Sequence, residues 1–195
     1  MNSRNLFRDD GAPGRKAPEA SPGRRELITR VGAAVAFGTG IAARGAAQPN
    51  PSIAFASWIH GNTGRVERQE FTHKITPFGF GLEVQSTGPM NWVHYGIPTP
   101  VIVNEKRLKI LRVMLVFDTP NTYSRVQNVH VWDGSVRLAN IDGLSLSGHH
   151  PFESFPIPGT PSVQFGITVS IGFALTTFEF GPQKFGFIST GADFA

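Results

Sequence analysis

From Ser162 to Thr176 the sequence alternates without a break. Val163, Phe165, Ile167, Val169, Ile171, Phe173 and Leu175 are apolar, while Ser162, Gln164, Gly166, Thr168, Ser170, Gly172, Ala174 and Thr176 are small or polar. A period of two is the mark of a β-strand, here one with a greasy face and a face of small side chains. Further strands are expected at Ile53–His60, Val66–Ile75, Leu82–Ser86, Trp92–Ile97, Leu108–Phe117, Arg125–Trp132, Val136–Ile141, Phe152–Ile157 and Lys184–Thr190. Gly61-Asn62-Thr63-Gly64, Asn104-Glu105-Lys106 and Asp133-Gly134 read as hairpin turns. Many short strands between turns, with no helical period, predict an all-β, antiparallel β-sandwich or jelly roll, a closed β-barrel being the alternative.

The first 47 residues differ from the rest. They are polar and rich in Pro and Gly up to Gly23, and Gly23-Arg24-Arg25-Glu26-Leu27-Ile28-Thr29 then resembles a twin-arginine export motif. A weakly apolar stretch follows, and Gly45-Ala46-Ala47 supplies the small residues of a peptidase site. Residues 1–47 are therefore expected to be a twin-arginine signal peptide, 48–52 a linker built on Gln48-Pro49-Asn50-Pro51, and 53–195 the β-sandwich domain. The charge divides at the same place. Residues 1–47 hold eight Lys/Arg against four Asp/Glu, which leaves ten of each in residues 48–195. A neutral domain has no electrostatic footprint for a phosphate backbone, so no nucleic-acid partner is expected. The chain has no cysteine, which excludes disulfides and thiolate metal sites. No apolar run is long enough to span a bilayer. Contact with the membrane is expected only during export, and the mature protein in the periplasm or outside the cell.

Ile59-His60-Gly61-Asn62, Trp92-Val93-His94-Tyr95-Gly96-Ile97-Pro98-Thr99-Pro100, Leu146-Ser147-Gly148-His149 and Gly191-Ala192-Asp193-Phe194 carry a resemblance. From about Ala56 to Phe194 the chain resembles a family of small bacterial proteins grouped as a domain of unknown function, in which Trp-x-His-[Phe/Tyr]-x-Ile-Pro-Thr-Pro is the central motif. The resemblance implies a family and no activity.

Standard catalytic motifs are missing. Gly143-Leu144-Ser145-Leu146-Ser147 lacks the second glycine of a nucleophile elbow, and Gly79-Phe80-Gly81 opens no helix that could cradle a phosphate. His149-His150-Pro151-Phe152-Glu153 is similar to the His-rich first motif of cupins, but its histidines are adjacent, so only one can point inward; a solvated loop is the simpler reading. Asp133-Gly134 and Asn140-Ile141-Asp142-Gly143 could offer oxygen ligands to calcium, yet turn formation explains them. No metal and no cofactor is expected.

Two strands repeat one arrangement. Trp92 and His94 are two apart and share a face, with Tyr95 on the other; Asn128, His130 and Trp132 share a face, with Asp133 opposite. Trp offers a flat apolar surface, and His and Asn offer directional hydrogen bonds, a combination that suits a sugar ring. The alternative is a core whose Trp and His groups are satisfied internally. The small face of Ser162–Thr176 could floor a shallow cleft beside these residues, make room for large side chains, or simply face solvent. The expectation is an exported, non-enzymatic binding module for a glycan or another small ligand with a polar rim, with Trp92, His94, Asn128, His130 and Trp132 lining its site. The alternatives are a small enzyme (a lyase, isomerase or metal-dependent oxygenase) using His94 or His130 as base or ligand, and a structural or adhesive surface protein.

Overall fold

A computed structural model describes residues 52–177 and 181–195. The expected signal peptide and nearly all of the linker lie outside the described residues. In chain order the strands are β1 (Phe55–His60), β2 (Arg65–Val66), β3 (Thr72–Phe78), β4 (Gly81–Ser86), β5 (Asn91–Gly96), β6 (Ile102–Val103) and β7 (Lys106–Arg107). They continue with β8 (Ile110–Asp118), β9 (Ser124–Asp133), β10 (Val136–Ile141), β11 (His149–Pro156), β12 (Ile167–Leu175) and β13 (Gln183–Phe194). No described helix is long and apolar enough to cross a membrane.

Two antiparallel sheets pack face to face. One runs β11-β8-β13-β4-β3, with β1 paired to the far half of β13; the other runs β10-β9-β12-β5-β2. Both sheets keep open edges, so the fold is a sandwich and not a closed barrel. The core follows from strand parity. Ile167, Val169, Ile171 and Phe173 of β12, with Val129 and Val131 of β9 and Val93 and Tyr95 of β5, meet Val113, Leu115, Phe117, Phe185 and Phe187 of the opposite sheet, all at most 2% exposed. Phe173 packs against Phe185 and Phe187 with ring centroids 4.7 and 5.4 Å away. A buried aromatic of this kind contributes about 3–5 kcal/mol, measured by truncation to Ala.

Three local readings are corrected by the structure. The alternating run does not form a strand until Ile167: Gly166 takes φ +148°, and Phe165, on the nominally greasy side, is 79% exposed. The expected strand Val66–Ile75 is two strands in different sheets, β2 and β3, parted by a 3-10 turn at Gln69–Phe71. Gly61–Thr63 is not a hairpin but a 3-10 turn that carries the chain from one sheet to the other. The Asn104–Glu105 and Asp133–Gly134 turns do close hairpins, with positive φ at Asn104, Glu105 and Gly134.

Candidate functional site

Strand β12 lies at the centre of the five-stranded sheet, between β5 and β9. Ser170 is opposite His94 on one side and His130 on the other; Gly172 is opposite Trp92 and Asn128; Thr168 is opposite Trp132. The five residues singled out from sequence therefore share the outer face of one sheet, on either side of the small-residue strip. None belongs to the hydrophobic core. Trp92, Asn128 and Trp132 are half-buried, and the side chains of His94 and His130 are 33% and 14% exposed. Tyr95, on the other face, is core: burial pushes its phenol pKa up, and its hydroxyl donates to the Gly61 carbonyl at 3.1 Å.

The strip is not an open cleft. The rings of Trp92 and His130 lean toward each other across it, with centroids 4.7 Å apart and planes 41° inclined, and Ser170 beneath is 4% exposed. A side chain at position 172 would crowd its neighbours, its Cβ standing 2.9 Å from Met90 Cε and 3.0 Å from Asn128 Cβ. Small side chains thus seat large ones from neighbouring strands of the same sheet.

The two histidines and Asn128 are held by hydrogen bonds. His94 lies between Ser170 Oγ, 2.8 Å from Nδ1, and Glu67 Oε2, 3.0 Å from Nε2. Glu67 is placed by Asn91, a fully buried side chain that accepts from the backbone N–H of Arg68 and Trp92 and donates to the Arg68 carbonyl and to Thr72 Oγ1. The backbone N–H of Glu67 also donates to the Trp92 carbonyl, at 2.9 Å. At the other end Asp142 receives Asn128 Nδ2 at 2.6 Å, His130 Nε2 at 2.7 Å and Asn140 Nδ2 at 2.9 Å. These hydrogen bonds, that of Asn140 foremost, hold the Asp142 carboxyl well below the usual carboxylate range. Arg137 stands over the Trp132 ring, 5.6 Å from its centroid. The sequence carries no sign of Glu67 and Ser170 as partners of His94, and it offers Asp142 as a turn residue or a calcium ligand, not as the acceptor of His130 and Asn128. Asp142 closes the polar edge of this face.

The remaining sequence candidates serve structure. Asp133, at the end of β9 and 3% exposed, accepts backbone N–H groups from Gln164, Phe165 and Gly166 at 2.5, 2.8 and 3.0 Å. Burial pushes its pKa up, but these three donors and the charge of Arg107 outweigh burial and leave it below the usual value. A depressed carboxyl contributes stability that is fully present above its unfolded pKa, about 3.9, and is lost as pH falls below it. Asp133→Ala is expected to cost about 2 kcal/mol at neutral pH, and the gap from wild type should narrow as the pH is lowered past 4. Urea melts at pH 7 and pH 3 measure both; an unchanging gap would contradict the assignment.

The His149–Glu153 segment belongs to edge strand β11 and is not a loop. His150 Nδ1 meets Glu153 Oε1 at 2.7 Å and its ring stacks on Phe117, while His149 is exposed, so the two histidines do not converge. Among the described residues no cluster of three or more His, Asp or Glu side chains is placed to hold a metal ion.

A family model described as a family of unknown function, DUF6623, matches residues 53–183. The closing Gly191–Phe194 of the resemblance lies past that range. No curated protein sequence matches the chain. Among solved structures, a low-affinity xylan-binding module, CBM86, from Roseburia intestinalis aligns at 10% identity and a TM-score of 0.47, over 72% of this chain and 96% of the module. A CBM36 carbohydrate-binding module solved with calcium and xylotriose aligns at 14% identity and 0.38, over 71% and 98%. An exo-β-1,3-galactanase from Phanerochaete chrysosporium aligns at 16% and 0.39, over 72% of this chain and only 30% of its own length.

Proposed function

We propose that this chain, which belongs to the DUF6623 family of unknown function, is an exported, non-enzymatic module that binds a glycan, or another small ligand with a polar rim, on the outer face of its five-stranded sheet. One observation carries the reading. Trp92 with His94 and Trp132 with His130 flank β12 on a single solvent-side face, and their polar partners Glu67, Ser170 and Asp142 are already in place. Such a surface supplies indole faces for the apolar side of a pyranose and fixed donors and acceptors for its hydroxyls, with little ordering left to be done on binding. A screen of the full-length protein against immobilised glycans tests it, with retention of at least one class expected. A folded protein that retains none would end the reading.

The hydrogen-bonded chain Ser170–His94–Glu67 favours a second reading, a small His-dependent enzyme. Against it, Ser170 is 4% exposed, and β12 is paired on both sides, which engages the strand's backbone N–H groups and leaves none at Ser170 to stabilise an oxyanion. The hydroxyl therefore orients His94 better than it could attack a substrate.

Export rests on the sequence of residues 1–47. Replacing Arg24 and Arg25 by Lys is expected to trap uncleaved precursor in the cytoplasm, while the parent is cut after Ala47. Fractionation with N-terminal sequencing measures this, and normal export of the double variant would contradict it.

A further inference from the structure

We infer that the opposite face of the sandwich carries a second saccharide-binding surface, built on Trp58 and Phe152 and suited to a neutral pyranoside within a polysaccharide chain. It lies on a different sheet from the site proposed above and shares no residue with it.

Trp58 of β1 is opposite Gly191 of β13, which is opposite Met114 of β8, itself opposite Ser154 of β11. The indole is 41% exposed and rests on Gly191, where a Cβ would stand 2.6 Å from Trp58 Cδ2 and 3.0 Å from Cε2. Any side chain at 191 would lift the ring off the sheet. Phe152, 52% exposed, faces the indole at 6.2 Å with the planes inclined by 45°. It is delivered by a bulge in β11, whose register with β8 shifts between His150 and Glu153. A bulge re-aims a side chain, and a glycine lets a ring lie flat. A bulge in one strand and a glycine in another thus leave two large aromatic rings facing solvent at one spot, where burial would be the default for either.

The surroundings supply the polar half. One row along, about 7 Å away, Asp193 lies between Ala56 and Arg112. Asp193 is 4% exposed and accepts Arg112 Nε at 2.6 Å, which locks a guanidinium that is itself 41% exposed. Among the described residues none accepts a hydrogen bond from Arg112 Nη1 or Nη2, so the fork is available to a ligand. Arg112 and Ser154 also line a shallow groove of about 490 Å³, with Ile53, Pro156 and Thr160, and Ser154 lies in the same register row as Trp58.

Charge decides the class of occupant. Arg112 is paired with Asp193, and farther along the same face Lys184 is paired with Glu83 at 3.1 Å. With Lys74 and Asp118 adding one charge of each sign to these two pairs, the face exerts no net pull on an anion, yet offers directional donors and acceptors to hydroxyls. The groove is open, and both rings are exposed, which fits a passing chain better than a free monosaccharide that needs enclosing.

Native gels of the full-length protein containing xylan, hydroxyethylcellulose, galactomannan or pullulan test this, with polygalacturonate as the acidic comparison. Trp92→Ala/Trp132→Ala serves as the background, so that binding which survives there belongs to the second face. At least one neutral polysaccharide should retard this background, and adding Trp58→Ala or Phe152→Ala should weaken the interaction about tenfold or more with the melting temperature unchanged. Loss of binding on the first face alone would show as a difference between the parent and the background, and leaves this surface standing. Should the background not fold, the same two substitutions in the otherwise unaltered chain give the answer. The inference is overturned if no neutral polysaccharide retards the protein, if only polygalacturonate does, or if both variants bind as their parent does. A dimer in sedimentation that Trp58→Ala dissolves would also overturn it, by showing that a second copy covers the patch.

Discussion

Gly61→Ala is expected to leave little folded protein. A methyl group at residue 61 would overlap the Phe187 carbonyl oxygen and stand 2.8 Å from that of Ile188. Both atoms are backbone of β13, and Phe187, the nearer, is paired with Leu82 on one side and Phe117 on the other, so it cannot give way as a side chain would. The same residue accepts the buried Tyr95 hydroxyl, so any shift that relieved the clash would break a hydrogen bond inside the core. Overpacking of this kind costs about 3 kcal/mol or more, a large part of the roughly 5–15 kcal/mol that holds a domain together. Thermal melts and soluble yield measure it. A variant that melts cooperatively at the parent temperature would mean that the chain does not approach β13 as closely as described.

Gly61 also explains part of what the sequence showed without giving its reason. The motifs around Gly61 and Tyr95 meet in one hydrogen bond where the chain crosses between sheets, and they serve the fold. The faces of β5 and β9 were legible because side-chain parity survives whatever the pairing: Trp92 with His94, and Asn128 with His130 and Trp132, needed no knowledge of neighbours. Their convergence was not legible, since it depends on β12 pairing with both strands, in a register no local pattern states. Alternation misled at Ser162–Gly166, where Asp133 draws three backbone N–H groups into a turn that the side-chain pattern continues through. It misled again at Val66–Ile75, where a strand-like composition hides a change of sheet. Glu67 carried no mark in the sequence as a partner of His94; its place is set by Asn91, 24 residues later. Trp58 was equally silent, because its exposure depends on Gly191 at the far end of the chain.

The second large effect is expected on binding. Trp92→Ala/Trp132→Ala should weaken retention of the glycan found by the array about a hundredfold, while costing about 1 kcal/mol of stability. The two effects separate because neither indole is part of the hydrophobic core; each lies half-buried against a polar or aromatic neighbour on the outer face, His130 for Trp92 and Arg137 for Trp132. Phe173→Ala is the opposite control, with a loss of about 3–5 kcal/mol. Isothermal titration beside urea melts reads both quantities. If the double variant lost stability on the scale of Phe173→Ala, the face would be packing and not a site.

The protein has three tryptophans, and each gives one indole N–H resonance. Titrating the full-length, ¹⁵N-labelled protein with the glycan from the array therefore reports which face it meets. Binding on the five-stranded sheet predicts that the Trp92 and Trp132 indole signals move and saturate together with a single dissociation constant. Saturation of the ligand with both signals unmoved, whether or not Trp58 responds, would contradict it.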